Sequence, residues 1–515
     1  MAKSLMVQGT GSGAGKSLLV VALCRIFRDM GIRVAPFKSQ NMALNSYITI
    51  DGGEIGRAQA LQAEAAGIEP STDINPILLK ASGEMGSQVI IQGRVVKTMQ
   101  ASEYYEYRSH AWDSVKESYG RLQEDYELIV IEGAGSPAEI NLMDVDIANM
   151  AVAKLAEAPV VLVGDIDRGG VFASLYGTVS LVGKDREYIK GYLINKFRGD
   201  PDILSPGLDM LADQTGIPVL GVIPYLRDIG LPEEDGMSVG LRKEHGYLKR
   251  DFNTVKMVVL RLPYISNFTD FDPFTFEPDV EVLYSLNPAD IENTDILVIP
   301  GSKNTVDDLL FLKRTGLDES IRRACRRGVD VIGICGGYQI LSKRILDPYA
   351  VESPHSEVEG LGLLDVETSF ESEKITSQVS AGIVKEEDFF CCSGCDGEED
   401  MGALWGYEIH MGTSSGDTGL FRVSRIRRDR DGVHRTNSVV DGSKKDNCWG
   451  TYLHGLFEND RFRREVINHA RAGQGLEPLG ILTRYREIRS ARIQEVSEMI
   501  KENIDIERIM GIIGI

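Results

Sequence analysis

Residues 5–17 read Leu5-Met-Val-Gln-Gly9-Thr-Gly-Ser-Gly-Ala-Gly15-Lys16-Ser17, and an apolar helical pattern follows from Leu18 to Arg28. A short aliphatic strand, a glycine-rich loop ending in Gly-Lys-Ser and a helix are the parts of a P-loop. Strict spacing would place the first glycine at position 10, which is Thr10, so the loop is a variant with that glycine one place early. A glycine-rich turn without a ligand would not explain the Gly-Lys-Ser ending. The stretch therefore predicts a phosphate site in an α/β domain.

The residues of this loop have separate chemical roles. Glycines leave backbone N–H groups uncovered so that they can surround a phosphate, and the N-terminus of the helix adds a favourable dipole. The lysine supplies a point charge to phosphate oxygens, and the serine hydroxyl can hold Mg²⁺, so Ser17 is also a predicted metal ligand. The predicted ATP contacts in the loop are Gly11, Gly13, Gly15, Lys16 and Ser17.

Residues 1–225 repeat one rhythm, in which a short aliphatic run ends in a polar or glycine-rich turn and a helical pattern follows. This rhythm predicts a parallel α/β sheet, whose chemistry collects at the carboxyl ends of the strands. The clearest predicted strands are Leu5–Gln8, Arg33–Phe37, Leu128–Ile131, Val160–Gly164, Tyr192–Asn195 and Val219–Ile223.

Charged and amide side chains follow four of these strands. Carboxylates there can hold Mg²⁺, lysine and arginine can steady a phosphate or a substrate carboxylate, and an amide beside a lysine stem can frame a purine. One such group could be a solvated or helix-capping charge, but four occurrences at strand ends disfavour that explanation for all of them. The candidates are Glu132 for Mg²⁺, Asn195 and Lys196 for ATP, and Lys38, Asp165, Asp167 and Arg168 for substrate.

Composition excludes several classes of protein. The 515 residues are enough for two to four domains, and 56 Lys+Arg against 77 Asp+Glu give a net charge of −21. This charge disfavours nucleic acid and anionic membranes as partners. No apolar run approaches the roughly 20 residues that cross a bilayer, and no hydrophobic signal core follows Met1, so we expect a cytoplasmic protein. Seven scattered cysteines do not indicate a disulfide scaffold.

Domain boundaries follow from changes in composition. The polar stretch 226–253 lacks a sustained period and suits a linker, and a second α/β unit follows with strands Val255–Leu262, Ile296–Ile299 and Val329–Gly333. The stretch 384–402 is acidic and is most simply a surface excursion; its Cys392-Ser-Gly-Cys395 has the spacing of half a zinc site but no second ligand pair. The predicted boundaries are 1–230 for an ATP-binding domain, 231–253 for a linker, 254–475 for the second domain and 476–515 for a helical tail.

A cysteine centre is predicted in the second domain. Gly333-Ile334-Cys335-Gly336-Gly337 joins a predicted strand to a predicted helix. Such an elbow exposes a nucleophile and presents it to a helix N-terminus, which favours the thiolate. A structural cysteine would instead be expected within an apolar stretch. We therefore predict Cys335 as a catalytic nucleophile.

A thiol nucleophile needs a base and an oxyanion site. His454 in Trp449-Gly-Thr-Tyr-Leu-His454-Gly455 lies at the end of an apparent strand and is the predicted base, although it could be a packing histidine. His410 is the competing candidate. Backbone donors after the strand at 296–299 and at the elbow predict an oxyanion site made of Gly301, Ser302 and Gly336.

The order of these motifs resembles the cobyric acid synthase family of the cobalamin pathway over almost the whole chain. Five segments carry the resemblance beyond that to P-loop proteins in general. They are Pro36-Phe-Lys38-Ser-Gln40-Asn41-Met-Ala-Leu-Asn45-Ser46, Gly56-Arg57-Ala-Gln-Ala-Leu-Gln62-Ala-Glu-Ala-Ala-Gly67, Gly164-Asp-Ile-Asp-Arg-Gly-Gly-Val-Phe172, Asn195-Lys-Phe-Arg-Gly-Asp200 and Gly406-Tyr-Glu-Ile-His-Met-Gly412.

The resemblance implies an N-terminal domain similar to dethiobiotin synthetase and a C-terminal class I glutamine amidotransferase domain of the cobyric and cobyrinic branch. It adds Gln40 and Asn41 to the candidate substrate residues. In ordinary class I domains a Glu follows the base by two residues, but Leu456 stands there, and this branch is understood to work with Cys and His alone. Candidates for holding His454 are Glu408, Glu458 or a backbone carbonyl.

The implied reaction amidates four peripheral carboxylates of adenosylcobyrinic acid a,c-diamide with ATP, Mg²⁺ and either glutamine or free ammonia. The implied partners are thus a corrinoid and glutamine, while the oligomeric state stays open. Two alternatives are the sibling enzyme that makes the a,c-diamide and a P-loop ATPase with an inert amidotransferase-like domain. The segments around Gln40 and Gln62 argue against the sibling enzyme, and glutaminase activity would exclude the inert domain.

Overall fold

The computed structural model describes residues 2–81, 86–226, 229–231, 253–384, 402–429, 432–435 and 438–515. The contacts divide the chain into two units. The first unit consists of Met1–Ala43, Glu54–Pro232 and Arg489–Ile515, and the second of Leu44–Gly53 and Glu233–Ile488. The predicted linker 231–253 and the stretch 384–402 with Cys392 and Cys395 lie outside the described residues except at their ends.

The elements before residue 225 include the predicted alternation of strands and helices, but two runs of additional strands, within residues 40–56 and 77–99, depart from it. The strands are β1 (Lys3–Gly9), β2 (Val34–Phe37), β3 (Gln40–Met42), β4 (Ser46–Ile48), β5 (Glu54–Gly56), β6 (Ile77–Ala81), β7 (Ser87–Ile91), β8 (Arg94–Met99), β9 (Leu128–Glu132), β10 (Val160–Asp165), β11 (Ile189–Phe197) and β12 (Val219–Pro224). The helices are α1 (Lys16–Asp29), α2 (Arg57–Ala66), α3 (Ala101–Asp125), α4 (Met150–Leu155), α5 (Val171–Leu181) and α6 (Pro201–Thr215).

The elements after residue 253 include both parallel and antiparallel strands. The strands are β13 (Val255–Leu260), β14 (Val280–Ser285), β15 (Ile296–Ile299), β16 (Asp330–Ile334), β17 (Arg344–Leu346), β18 (Glu357–Glu359), β19 (Val366–Ile383), β20 (Leu404–Gly416), β21 (Phe421–Asp429), β22 (Gly432–Arg435), β23 (Val439–Asp441), β24 (Ser443–Lys445), β25 (Cys448–Thr451) and β26 (Leu453–His454). The helices are α7 (Pro288–Glu292), α8 (Thr305–Thr315), α9 (Leu317–Arg326), α10 (Gly336–Leu341), α11 (Asp460–Gly473), α12 (Tyr485–Glu502) and α13 (Ile506–Ile513).

The first unit is built on a parallel sheet with the strand order β12-β11-β10-β1-β9-β2. Strand β1 lies between β9 and β10, and Gly9 at its end is in register with Val163. Every residue of β9 is buried, as expected for a strand covered on both faces. Part of the predicted tail, Arg489–Ile515, belongs to this unit, where Ile504 and Ile513 join the core with Leu220.

The second unit contains the sheet β14-β13-β15-β16-β25-β24, which is parallel except for the edge pair β24 and β25. A second sheet, in the order β18-β17-β19-β20-β26, is dominated by the antiparallel pair of β19 and β20. The predicted α/β class is therefore confirmed in both units. The long antiparallel pair of β19 and β20 was not predicted from the sequence.

Candidate functional site

The phosphate loop of the first unit starts after β1 and ends at Gly15. This glycine has a φ of 96° and is the N-cap of α1. A Cβ on Gly15 would lie 2.1 Å from Asn195 Nδ2, so the loop needs glycine there. The same Nδ2 donates to Ala14 O at 2.8 Å. Lys16 Nζ donates to two backbone carbonyls, Gly11 O and Gly135 O, both at 3.0 Å. The structure thus brings the predicted loop residues and Asn195 together.

Glu132 is the centre of a buried cluster below this loop. Its Oε1 accepts hydrogen bonds from Ser17 Oγ at 2.8 Å and Lys38 Nζ at 2.8 Å, and its Oε2 accepts one from Gln62 Nε2 at 2.6 Å. Burial alone would raise the pKa of Glu132, but the charge of Lys38 and these hydrogen bonds hold that pKa below its ordinary value. The cluster therefore keeps a carboxylate beside the loop.

The chemistry of this cluster fits the predicted metal. A hydroxyl and a carboxylate are hard oxygen donors of the kind that hold Mg²⁺ together with phosphate oxygens and water. Ser17 and Glu132 are the two such groups here, already within hydrogen-bond distance of each other. Gln62, which lies on α2, received no role from the sequence.

Asp165 and Lys196 lie on the other side of the loop. Lys196 Nζ donates to Gly13 O at 2.7 Å and to Asp165 Oδ2 at 2.9 Å. Arg168 Nε lies 3.6 Å from the same carboxylate, and a Cβ on Gly13 would be 3.2 Å from the Arg168 guanidinium. Asp167 pairs instead with Arg198 at 3.1 Å. Lys196 and Arg168 therefore lie next to the phosphate loop, and Asp165 is linked to it through Lys196. Asp167 has no such link among these contacts.

Gln40 and Asn41 lie on β3, in a separate small sheet of the first unit with the strand order β3-β6-β7-β8. Gln40 Oε1 accepts from Tyr104 Oη at 2.5 Å, and Asn41 Nδ2 donates to Gln59 Oε1 at 2.8 Å. Asn41 is buried. Its amide thus supports the start of α2, while Gln40 is the more accessible of the two predicted substrate residues.

The elbow of the second unit has the predicted geometry. Cys335 stands between β16 and α10 with φ 52° and ψ −107°, a left-handed conformation that costs a non-glycine residue energy and needs support from its surroundings. Its backbone N–H donates to Thr451 O at 2.8 Å. A Cβ on Gly337 would lie 1.8 Å from Ile299 O, so helix α10 can approach β15 only with glycine at this position.

The predicted oxyanion residues lie against this elbow. A Cβ on Gly336 would be 2.8 Å from Ser302 N, and one on Gly301 would be 3.4 Å from His454 Cε1. Ser302 Oγ donates to Asp308 Oδ2 at 2.6 Å, which fixes the loop that precedes α8. Gly301, Ser302 and Gly336 are therefore brought together with the predicted nucleophile and base.

His454 makes a contact that the sequence did not predict. Its Nδ1 lies 2.6 Å from Asp270 Oδ2, and Asp270 Oδ1 accepts from Gly455 N at 3.0 Å. Burial alone would lower the pKa of His454, but the Asp270 carboxylate and the nearby Cys335 thiol raise it to about 10. Tyr407 stacks on the imidazole, with ring centroids 5.3 Å apart.

The predicted partners of His454 are therefore corrected. Asp270 contacts His454 Nδ1, in place of the expected Glu408, Glu458 or backbone carbonyl. The pair of Cys335 and His454 therefore has a third residue beside it. Glu408 instead accepts from Arg425 Nε at 2.6 Å. The available signal for Asp270 was its position in the aromatic run Asn267-Phe-Thr-Asp-Phe-Asp-Pro-Phe274, where an acidic residue is buried only for a specific contact.

His410, the competing base, belongs to a different cluster. Its Nδ1 donates to Gly412 O at 2.8 Å, and its ring stacks on Tyr452 with centroids 3.8 Å apart. Its Nε2 lies 3.6 Å from Glu408 Oε1. These contacts favour a packing role for His410 and leave His454 as the better candidate.

Two kinds of feature are absent from the part of the chain that the structure describes. Among those residues no cluster of three or more His, Cys, Asp or Glu side chains has the arrangement of a metal site. No helix of the same residues combines the length and apolar character needed to span a bilayer.

Comparison with known proteins gives the same two parts. Residues 5–239 match a family described as the CobQ/CobB/MinD/ParA nucleotide binding domain, and residues 256–462 match a family described as the CobB/CobQ-like glutamine amidotransferase domain. The predicted fold class, a P-loop domain followed by a class I amidotransferase-like domain, is thereby confirmed.

Full-length relatives extend this likeness over both parts. Cobyric acid synthase of Thermodesulfovibrio yellowstonii is 48% identical over 515 residues, which is 100% of both chains. Cobyric acid synthase of Clostridium botulinum is 46% identical over 517 residues, again 100% of both chains. That of Dehalococcoides mccartyi is 47% identical over 518 residues, 100% of this chain and 99% of the relative. The chain belongs to the cobyric acid synthase family.

Proposed function

We propose that this protein uses ATP and glutamine to amidate four peripheral carboxylates of adenosylcobyrinic acid a,c-diamide, giving adenosylcobyric acid. The observation that carries the proposal is the 48% identity over the full length of both chains to a cobyric acid synthase. The class of the enzyme, a glutamine-dependent amidoligase, is confirmed by this likeness together with the amidotransferase domain. A cytoplasmic location is part of the proposal, because ATP and glutamine are supplied there.

The reaction has two parts, amidation through an acyl phosphate and the supply of ammonia from glutamine, and these match the two sites. Ammonia cannot displace the oxygen of a carboxylate at neutral pH, so the carboxylate is first converted to an acyl phosphate by transfer of the γ-phosphoryl group of ATP, which leaves ADP. Ammonia then attacks the acyl carbon, the bond to the phosphate oxygen breaks, and the amide and inorganic phosphate are released with a proton. The first unit would carry out both of these steps, and the second unit would supply the ammonia.

The first unit offers the groups for phosphoryl transfer. Lys16 and the N–H groups from Gly11 to Ser17 would bind the phosphates, with Asn195 and Lys196 beside the nucleotide. Ser17 and Glu132 would hold Mg²⁺, which when bound neutralises phosphate charge. The remaining candidates for contacting the substrate are Lys38, Gln40, Asn41, Asp165, Asp167 and Arg168, of which Lys38 and Arg168 carry the positive charge that could steady its carboxylate.

The second unit offers the groups for glutamine hydrolysis. The Cys335 sulfur would attack the amide carbon of glutamine, and the resulting oxyanion would accept hydrogen bonds from the loop at Gly301 and Ser302 and from Gly336. His454 would donate a proton to the leaving nitrogen, so ammonia departs and a thioester remains. Water would then attack the thioester as His454 takes its proton, which releases glutamate and restores the thiolate.

The test of this proposal compares corrinoid substrates. Purified protein is incubated with ATP, Mg²⁺ and glutamine and with either cobyrinic acid or adenosylcobyrinic acid a,c-diamide, and release of ADP and glutamate is measured. We expect both products with the a,c-diamide and little above background with cobyrinic acid. Turnover that prefers cobyrinic acid would assign the chain the sibling reaction, and no glutamate release with either would indicate an inert amidotransferase-like domain.

A further inference from the structure

Asp270 contacts two consecutive residues of the second unit with its two carboxylate oxygens. Oδ2 lies 2.6 Å from His454 Nδ1, and Oδ1 accepts from Gly455 N at 3.0 Å. A carboxylate held at both oxygens cannot rotate without losing a bond, so the plane of the imidazole is fixed relative to the backbone that follows it. Asp270 is 184 positions away from His454 in the sequence and is buried.

The backbone around Asp270 is itself held in place. Asn267 has φ 51° and begins the 3₁₀ helix Phe268–Phe276, which carries the aspartate. Asn267 Oδ1 accepts from Ser46 N at 2.9 Å, and Phe268 N donates to Asn45 Oδ1 at 3.2 Å. All four of these residues belong to the second unit. A side chain that orients a catalytic group needs this kind of rigid support.

The contact decides which nitrogen of His454 is available. Because Nδ1 is engaged by the carboxylate, the imidazole presents Nε2 to the rest of the site. Asn267 Nδ2 lies 3.5 Å from this Nε2, and the Cys335 thiol is close enough to contribute to the raised pKa of the imidazole. A carboxylate on Nδ1 also stabilises the positive charge that the ring carries when it is protonated.

We infer that Asp270 is the positioning residue of the glutaminase site, which orients His454 through Nδ1 and stabilises its protonated form. It takes the role that a Glu two residues after the base has in ordinary class I domains, where this chain has Leu456. The inference rests on the proposed roles of Cys335 and His454. It replaces a two-residue centre by a triad whose third member comes from the segment after β13.

The substitution that tests this inference is Asp270→Asn, with Glu458→Gln as the matched control. Asn has the size of Asp but no charge, and its amide can fix the wrong tautomer of the imidazole. Loss of a triad carboxylate in this way lowers turnover by up to about 10⁴-fold in a serine protease, so we expect glutamine hydrolysis to fall by about 10²-fold or more. Amidation supported by ammonium should be unchanged. Glu458 is also buried and close in sequence to His454, and Glu458→Gln should retain hydrolysis.

A pH profile separates positioning from a merely structural role. In the unmodified protein His454 keeps its proton until the pH rises through its pKa of about 10. Asp270→Asn removes the charge that raises this pKa, so the alkaline limb of glutamine hydrolysis should move to lower pH. Since the imidazolium also favours the thiolate, alkylation of Cys335 by iodoacetamide should move to higher pH. Glu458→Gln should shift neither profile.

The inference would be overturned if Asp270→Asn left unchanged both the pH profile of glutamine hydrolysis and the pH profile of Cys335 alkylation. This holds whether the rate of hydrolysis by the variant were normal or were uniformly reduced with an earlier thermal transition. Should Asp270→Asn not fold, Asp270→Glu provides the test, because it keeps the charge and displaces it by one methylene. In Asp270→Glu the pH profile of Cys335 alkylation should stay as in the unmodified protein while glutamine hydrolysis slows. A shift of that alkylation profile to higher pH would also contradict the inference. Glutamine hydrolysis by Cys335→Ala would instead refute the proposed function.

Discussion

Lys38 Nζ lies 2.8 Å from Glu132 Oε1, and both side chains are buried at the carboxyl ends of neighbouring strands β2 and β9. The pair links the predicted substrate side of the first unit to the predicted metal side, since the same carboxylate oxygen accepts from Ser17. Removing one partner of a buried ion pair leaves a charge without compensation and typically costs about 3–5 kcal/mol.

The first prediction concerns this pair. Glu132→Gln should abolish amidation with both glutamine and ammonium, because the proposed metal ligand and the partner of Lys38 are lost together. The free energy of unfolding of the first unit should fall by about 3 kcal/mol. Glutamine hydrolysis in the second unit should persist. The control is Glu127→Gln, which alters an exposed ion pair with Arg33 and should keep both activities. Ammonium-supported turnover by Glu132→Gln would remove Glu132 from the proposed site.

The second prediction concerns the phosphate loop. Lys16→Ala should reduce amidation by at least about 10²-fold with either nitrogen donor, because a contact to the transferring phosphate is strongest in the transition state. Lys154→Ala, which breaks an exposed pair with Asp185, is the control. The measurement is ADP release in the presence of the corrinoid. Normal release with ammonium would show that the loop does not bind the reacting phosphate.

The third prediction concerns the nucleophile. Cys335→Ala should eliminate glutamine-supported amidation, whereas a high concentration of ammonium should still support the ATP-dependent step. Ammonia supplied from solution bypasses hydrolysis of glutamine in the second unit. Cys448→Ala, which changes a buried thiol on β25, is the control and should retain glutamine hydrolysis. If Cys335→Ala released glutamate at the normal rate, the elbow would not carry the nucleophile.

The fourth prediction decides between the two histidines. His454→Ala should lose glutamine hydrolysis and move alkylation of Cys335 by iodoacetamide to higher pH, because the imidazolium that favours the thiolate is gone. His410→Ala removes a ring that stacks on Tyr452, so it should lower thermal stability and leave the alkylation profile unchanged. The opposite pattern would transfer the role of base to His410.

Much of the fold was predictable because its signals are local. The strand Ile296–Ile299 has the predicted bounds, and the predicted strand Leu128–Ile131 is observed as Leu128–Glu132. Glycines that the geometry requires, such as Gly15 and Gly337, mark both the phosphate loop and the elbow. Such positions can be identified from the sequence because only glycine fits the backbone there.

Contacts between distant segments were not predictable in the same way. Asp270 meets His454 across 184 positions, and Gln62 meets Glu132 across 70, and nothing in either local pattern specifies the partner. Strand β19 does not alternate regularly between buried and exposed residues, which explains why its long pair with β20 was not recognised. The grouping of Leu44–Gly53 with the second unit is likewise set by long-range contacts such as Gln378 Nε2 to Ile48 O at 3.0 Å.

Mass spectrometry of the corrinoid is the most direct test of the proposed amidation. Adenosylcobyrinic acid a,c-diamide is incubated with the protein, ATP, Mg²⁺ and glutamine labelled with ¹⁵N at the amide nitrogen. We expect that the substrate is converted to a product with four new amides, each carrying ¹⁵N, and that Cys335→Ala forms the same four amides only from added ammonium. An unchanged corrinoid, or a product amidated at fewer positions after ATP and glutamine are replenished, would contradict it.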